Sequence, residues 1–368
     1  MSATEAIANG KRIVIKVGSA LLTDKARGEL NQAWVDDFSA KICAFLKDHK
    51  EIIIVSSGAV ALGRKEMGIS SDIPPGKIPL PLKQAASAVG QPHVFNGYAL
   101  AFAKHGVGVA QVLLTMGETE NRRTHLNARA TLQELVSKGI VPIINENDTI
   151  LTEELRFGDN DRLAARVAQM IEADTVILLT TTSGLYTADP GTDPKAEHIP
   201  VVETVTEEHI KMAGDALPGL STGGMRSKIE AAQAATRAGI SLVIAGSFDG
   251  KCTLFKAMEH APNSRKRWIA THMHPKGVLV IDAGALKALK EGKSLLPIGV
   301  KKIEGDFERG DAVTIKTADG KIVGIGLSAY ASEDALKIIG KKTAEIHEIL
   351  GFSGRDALVH RNDMALQT

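Results

Sequence analysis

The sequence has 368 residues, of which 44% are hydrophobic and 24% charged, and its formal net charge is +1. This length suggests two or three domains, and the composition is that of a globular rather than a disordered protein. Nothing in the near-zero net charge requires nucleic acid or an anionic membrane as a partner.

The cysteines and the start of the chain indicate an intracellular setting. Cys43 and Cys252 stand far apart without a Cys-x-x-Cys spacing, so neither a disulfide framework nor a zinc site is expected. Residues 1–11 lack the apolar core of a signal peptide, and no run of about 18 apolar residues occurs. We therefore expect a cytoplasmic protein without a membrane span.

Apolar runs alternate with helical periodicity over the first two thirds of the chain. Residues 1–10 are predicted to be a short disordered tail. Apolar strands that alternate with helices indicate βαβ units, and hence an α/β fold with a parallel sheet covered by helices on both faces. The predicted strands are 12–18, 51–55, 107–114, 140–144, 175–179 and 241–245, and the predicted helices are 31–48, 118–138, 160–172 and 223–238.

The pattern changes near residue 250. Residues 258–275 are polar, basic and aperiodic, which predicts a linker between an α/β domain over 11–257 and a second domain over 276–368. Short apolar runs separated by turn residues make the second domain β-rich. Its predicted strands are 278–281, 298–303, 311–315 and 322–325.

Polar and glycine-rich segments follow four of the predicted strands. They are Gly18-Ser19, Ser56-Ser57-Gly58, Asn145-Glu146-Asn147-Asp148 and Thr180-Thr181-Thr182. Ligands of parallel α/β sheets bind beyond the carboxyl ends of the strands. One crevice is therefore expected to collect all four segments.

Two lysines next to glycine turns are candidates for binding phosphate. Lys16 ends the first strand before Gly18, and Lys228 lies in the first turns of a helix that follows Thr222-Gly223-Gly224. Amides at a helix N-terminus suit an anion, and the ammonium groups can reach the same anion. The alternatives are a surface lysine and an ordinary glycine-rich loop. A Walker A sequence and the glycine-rich signature of protein kinases are both missing.

Acidic and amide side chains form a second group. Asp148 follows the fourth strand, and Gly158-Asp159-Asn160-Asp161 opens a helix. Capping by Asp159 or Asn160 is the simple explanation. Alternatively, Asp148 and Asn160 hold the ammonium of an amino acid, and Asp161 organises the two lysines or a metal. Ser57 can receive a carboxylate at a helix start, or can simply cap that helix.

These segments together resemble the amino acid kinase family. The resemblance covers nearly the whole chain from Arg12, and it implies that the C-terminal domain is a PUA domain. The matching segments are 14–19, 56–59, 127–132, 141–148, 158–161, 184–190, 222–228 and 263–269.

The resemblance is strongest to members that phosphorylate the γ-carboxylate of L-glutamate with ATP and Mg²⁺, the first step of proline biosynthesis. It implies Lys16, Lys228 and Asp161 as catalytic residues, and Ser57, Asp148 and Asn160 as glutamate ligands. Direct metal ligands are not assigned. The family usually has an acidic residue where this chain has Thr181. The implied ATP-binding residues are Lys16, Thr180, Thr181, Thr222, Gly223, Gly224, Met225, Arg226, Ser227 and Lys228.

The resemblance also implies partners. They are proline as a feedback inhibitor, a downstream reductase that consumes the acyl phosphate, and further copies of the chain in a homo-oligomer. Two alternatives stay open: another carboxylate kinase, acting on N-acetylglutamate or aspartate, and an RNA-binding regulatory protein acting through the C-terminal domain. The net charge and the aromatic content of 4% weigh against RNA.

Overall fold

The structure is a computed structural model that describes residues 3–24, 27–70, 72–120, 122–150, 160–213, 224–258, 275–351 and 355–366. The chain divides into two compact units, Met1–Ala261 and Pro262–Thr368. The predicted linker, 258–275, lies outside the described residues except at its two ends.

The first unit is built on an eight-stranded sheet. Its strand order is β10-β12-β11-β7-β1-β4-β6-β5, and every neighbouring pair is parallel except β11 and β12. Two hairpins, β2-β3 and β8-β9, lie apart from this sheet. The strands are β1 (Arg12–Val17), β2 (Thr23–Asp24), β3 (Glu29–Leu30), β4 (Glu51–Ser56), β5 (Val109–Leu114), β6 (Val141–Glu146), β7 (Thr175–Leu179), β8 (Leu185–Tyr186), β9 (His198–Ile199), β10 (Val201–Val202), β11 (Ser241–Ala245) and β12 (Cys252–Phe255).

Helices cover both faces of this sheet, so the predicted α/β architecture is confirmed. Alternate residues of β1 point to opposite faces: Ile13 and Ile15 join one buried apolar cluster and Val14 joins the other. Turns of 3-10 helix lie at Pro75–Lys77 and Asp148–Ile150. The helices are α1 (Ala3–Asn9), α2 (Ser19–Leu22), α3 (Gln32–Lys47), α4 (Ala59–Glu66), α5 (Leu80–Ala103), α6 (Met116–Glu120), α7 (Arg122–Ser137), α8 (Asn160–Ile171), α9 (Glu207–Met212) and α10 (Met225–Arg237).

The prediction of a disordered tail over residues 1–10 is wrong for its described part. Helix α1 lies there and buries Ile7 completely. The ammonium of Lys50 donates hydrogen bonds to the carbonyl oxygens of Ala8 (2.8 Å) and Gly10 (2.6 Å). The local sequence is polar and short, so the helix is stabilised by these distant contacts rather than by its own periodicity.

Helices α4 and α5 cross with their backbones in contact. A Cβ added at Gly63 would lie 1.8 Å from the carbonyl oxygen of Ala86, and one added at Gly90 would lie 1.8 Å from that of Ala59. Only glycine allows so close an approach on both helices. The crossing fixes the position of α5 along the sheet.

Replacement of Gly90 by alanine is expected to lower the free energy of unfolding by about 3 kcal/mol, because the two helices must move apart to admit the methyl group. Urea unfolding of the purified variant measures this loss. Gly117→Ala is the matched control, since a Cβ there meets only the Thr115 hydroxyl at 3.8 Å. Equal stability of the two variants would contradict the close crossing.

The second unit contains a five-stranded sheet of order β14-β13-β15-β16-β17, in which β13 and β15 are parallel and the other pairs antiparallel. The four predicted strands match β13 to β16, whereas the helices of this unit were not predicted. Turns of 3-10 helix lie at Pro297–Gly299, Thr343–Glu345 and Arg361–Asp363. The elements are β13 (Gly277–Ile281), α11 (Ala283–Lys290), β14 (Val300–Gly305), β15 (Ala312–Thr317), β16 (Ile322–Leu327), α12 (Ser332–Ile338), α13 (Ile346–Leu350) and β17 (Met364–Leu366).

No helix among the described residues combines the length and the apolar composition needed to cross a membrane.

Candidate active site at the carboxyl edge of the sheet

The carboxyl ends of β7, β1, β4 and β6 lie side by side, because these strands are parallel neighbours in that order. The segments that follow them are tied together by backbone hydrogen bonds. The amide of Gly18 donates to the carbonyl of Leu179 (3.1 Å), and the amide of Ser57 donates to the carbonyl of Val17 (3.2 Å). The four polar segments therefore share one edge of the sheet.

Asp161 lies between two lysines from different elements. Its Oδ1 is 2.7 Å from the Nζ of Lys16 on β1, and its Oδ2 is 3.0 Å from the Nζ of Lys228 on α10. The hydroxyl of Ser227 also donates to Oδ2 at 3.0 Å. The three charged side chains are buried, with 8%, 6% and 1% exposed for Lys16, Lys228 and Asp161.

The cluster Lys16–Asp161–Lys228 has one more positive than negative charge. Burial alone would raise the pKa of the Asp161 carboxyl, but the charges and hydrogen bonds of Lys16 and Lys228 outweigh burial and hold that pKa below its usual range. The carboxylate therefore stays ionised at neutral pH. The excess positive charge in a buried position favours an incoming anion.

Asn160 links the segment after β4 to the carboxyl end of β6. Its Nδ2 donates to the Ser57 hydroxyl and to the Asn145 side-chain oxygen, both at 3.1 Å. Its Oδ1 is buried and has no hydrogen-bond partner among the residues that the structure describes. A buried amide oxygen in this state is a ready acceptor for an N–H group of a ligand.

Asp148 is the second buried acid at this edge. Its Oδ2 accepts a hydrogen bond from the Ser87 hydroxyl at 2.5 Å. Burial raises the pKa of the Asp148 carboxyl above its usual range, although the Ser87 hydrogen bond and the charge of Lys83 lower it in part. Asp148 and Asp161 thus have pKa values shifted in opposite directions, because only Asp161 has two lysines beside it.

A cavity of about 350 Å³ opens beside the lysine cluster, with Lys228 in its wall. The cavity is also lined by three of the predicted nucleotide-binding residues, Thr180, Thr181 and Met225. The remaining lining residues are Thr182, Gly184, Leu185, Tyr186, Ala188, Asp189, Pro190, Met212 and Ala213.

Other predicted nucleotide-binding residues lie at or beyond the start of α10. Gly224 is the N-cap of this helix. The Nε of Arg226 lies 3.3 Å from Glu230, on the exposed side of the same helix. Thr222 and Gly223 lie outside the described residues. The roles of all these residues stay predictions.

Sequence reasoning missed Ser87 and the cavity residues Tyr186 and Asp189. Ser87 has a weak signal, since Lys83, Ser87 and Gln91 recur every four residues in a largely apolar segment. Tyr186 and Asp189 fall in a segment that resembles the family, although no role followed for them.

The described residues contain no group of three His, Cys, Asp or Glu side chains that could hold a metal ion.

The profile of the amino acid kinase family matches residues 11–246. The chain therefore belongs to the amino acid kinase family, as its motifs predicted. A PUA domain profile matches residues 277–350, which confirms the predicted class of the second domain.

The curated relatives match the chain over nearly its full length. A glutamate 5-kinase of Gluconobacter oxydans is 51% identical over 98% of this chain and 97% of its own length. One from Paramagnetospirillum magneticum is 46% identical over 98% and 99%. One from Rhodopseudomonas palustris (strain TIE-1) is 48% identical over 97% of each chain.

Proposed function

We propose that this protein transfers the γ-phosphoryl group of ATP to the γ-carboxylate of L-glutamate, giving γ-glutamyl phosphate and ADP. The observation that carries the proposal is the buried Lys16–Asp161–Lys228 cluster, which lies between a cavity on one side and the Asn160 amide on the other. The similarity to glutamate 5-kinases supports this choice of acceptor.

The chemistry needs positive charge more than it needs a base. A glutamate side chain has a pKa of about 4.3 and is already an anion at neutral pH. The difficulty is to bring this anion against the triphosphate of ATP, because both carry negative charge. Lys16 and Lys228 supply fixed cations at that point, and stabilise the charge on the phosphoryl group in transit.

Asp161 acts on the two lysines rather than on substrate. One carboxylate oxygen holds each ammonium group, so both cations are oriented before ATP arrives. The Lys16 ammonium has three N–H donors, so its contact with Asp161 leaves donors for phosphate oxygens. Cations fixed in advance stabilise a transition state better than mobile ones, because they need not reorganise during the reaction.

The corner of the site formed by Asn160 and Asp148 suits a free amino group. The unsatisfied Oδ1 of Asn160 can accept a hydrogen bond from the ammonium of L-glutamate, and the Asp148 carboxylate supplies an opposite charge. N-acetylglutamate has no such ammonium, so this corner favours L-glutamate over it. Ser57 accepts a hydrogen bond from Asn160, which supports its proposed contact with the same substrate.

ATP and Mg²⁺ would bind at the cavity side of this edge of the sheet. The cavity lined by Thr180, Thr181 and Met225 has room for part of a nucleotide, and Lys228 in its wall can reach the phosphates. Mg²⁺ bound to ATP would neutralise part of the phosphate charge, with phosphate oxygens as its main ligands.

The proposal is tested by turnover of Mg-ATP with L-glutamate in the presence of hydroxylamine, which traps an acyl phosphate as a hydroxamate. We expect hydroxamate from L-glutamate and little from aspartate or N-acetylglutamate. Absence of hydroxamate with L-glutamate, from folded protein that binds ATP, would overturn the assignment.

Asp148→Asn is expected to raise the KM for L-glutamate about 10- to 100-fold with a smaller change in kcat, because a charged partner of the ammonium is lost. The KM of the wild-type protein should itself rise as the pH falls through the raised pKa of Asp148. Initial rates from pH 5 to 8 measure both effects. An unchanged KM in the variant would remove Asp148 from the substrate site.

The same substitution is expected to increase stability. A carboxyl whose pKa is higher in the folded than in the unfolded protein destabilises the fold, and this penalty grows as the pH rises from the unfolded pKa to the folded pKa. Removing the charge should raise Tm by about 2–4 °C, the shift that about 1 kcal/mol produces in a domain of this size. At a pH low enough to protonate Asp148, the two proteins should melt alike.

Further expectations rest on this reaction. Its product is a labile acyl phosphate, which a reductase must consume before water does. Proline as an inhibitor, a homo-oligomer and a cytoplasmic location belong to the same proposal. Addition of proline to the hydroxamate assay tests the first of these directly.

A further inference from the structure

One face of α5 closes the corner that contains Asp148. Ser87 and Gln91 lie four residues apart and therefore on the same side of the helix. The Ser87 hydroxyl donates to Asp148, and the Gln91 side chain donates to the backbone carbonyl of Glu146 at 3.3 Å. The segment that ends β6 is thus attached to α5 at two points.

We propose that Ser87 is a positioning residue for the acceptor substrate, which holds the Asp148 carboxylate in the orientation that receives the ammonium of L-glutamate. This inference rests on the proposed function. It adds a residue from a helix that supplies none of the predicted site residues.

The contact is buried and rigid. Ser87 is 1% exposed and Asp148 is 7% exposed, so water does not replace the hydrogen bond easily. Gly90, within one turn of Ser87, is one of the points at which α5 touches the backbone of α4. The Ser87 hydroxyl is therefore presented from a helix whose position is fixed. A partner held in this way restricts the carboxylate to one orientation.

The hydrogen bond also affects the charge of Asp148. Burial raises the pKa of this carboxyl, and the Ser87 hydroxyl and the Lys83 charge, both from α5, oppose that rise. Glu146, on β6, is a second buried acid close in sequence. Without the Ser87 hydroxyl the pKa of Asp148 should be higher still, because a hydrogen bond to the ionised form is lost.

The test is Ser87→Ala, assayed for hydroxamate formation from L-glutamate across pH 5–8. We expect the KM for L-glutamate at pH 7 to rise about tenfold while kcat changes less than twofold. The rise of KM at acidic pH should begin at a higher pH than in the wild-type protein. A merely structural role for Ser87 would not move this pH dependence.

Two further variants sharpen the test. Ser87→Cys keeps a weaker donor of similar size, and its pH dependence should lie between those of the wild-type protein and Ser87→Ala. Ser39→Ala is the matched control, because Ser39 is fully buried on α3 and its hydroxyl has no hydrogen-bond partner among the described residues. Its kinetics should equal those of the wild-type protein.

The outcomes separate the two proposals. A wild-type protein that forms no hydroxamate from L-glutamate removes the proposed function, and the role of Ser87 with it. An active Ser87→Ala variant with wild-type KM and wild-type pH dependence overturns the role of Ser87 alone. A higher KM and a shifted pH dependence in Ser87→Ala, together with wild-type kinetics in Ser39→Ala, support the proposed role of Ser87.

Discussion

Lys16→Ala is expected to lower kcat for γ-glutamyl phosphate formation at least about 100-fold, with a smaller effect on the KM for L-glutamate. In the proposed reaction its ammonium is one of two fixed cations beside the phosphoryl group in transit, and removal of one such group typically lowers kcat by about 10²–10³. Lys228→Ala should have a similar effect, since Lys228 holds the same relation to Asp161. Steady-state kinetics at saturating Mg-ATP measure both losses.

The matched control is Lys256→Ala. Lys256 also forms an ion pair, at 2.6 Å from Glu203, but its side chain is 49% exposed. Its removal should leave kcat within twofold of the wild-type value. Wild-type turnover in either Lys16→Ala or Lys228→Ala would refute the assigned site.

Asp161→Asn is expected to lower the free energy of unfolding by about 3–5 kcal/mol at neutral pH, because two buried ammonium groups lose their shared carboxylate. The effect depends on pH in a defined direction. A carboxyl whose pKa is lowered by folding contributes stability above its unfolded pKa, and that contribution is lost as the pH falls through the lowered value. The difference between variant and wild type should therefore shrink in acid.

Chemical denaturation at pH 7 and at pH 3 measures this difference. Asp36→Ala is the control, since Asp36 pairs with Lys104 at 2.7 Å in a more exposed position. A surface pair of this kind contributes roughly 1 kcal/mol or less. If Asp161→Asn were no less stable than Asp36→Ala, the buried cluster would not be an ion triad.

The strands and their common edge were predictable because both signals are local. Short apolar runs ended by glycine and polar residues mark β1, β4, β6 and β7, and parallel strands place those ends together. The contacts of Asp161 with two lysines could not be predicted from such local signals alone. Lys16 and Lys228 are more than 200 residues apart in the sequence, so the residues alone offered their grouping with Asp161 only as one alternative, and the resemblance to a family favoured it.

Helix α5 shows why other parts of the fold and of the site were not predicted. It carries Pro92 in its interior, and small and apolar residues occur around its whole circumference, so it has no clear polar face. Its position depends on the contact of Gly90 with α4, which no local pattern reveals. Ser87 was missed for the same reason, because its partner lies 61 residues further along the chain.

The strand order has a consequence for how two substrates meet. The cavity lies at the end of β7, whereas Asn145 lies near the carboxyl end of β6 and Asp148 follows that strand; β1 and β4 separate β7 from β6. Neighbouring strands are about 4.8 Å apart, so the two corners are roughly 14 Å apart along the sheet. Donor and acceptor would then approach Lys16 from opposite directions, which suits in-line transfer. Acceptor preference could therefore change through residues beyond β4 and β6 while the nucleotide side stays intact.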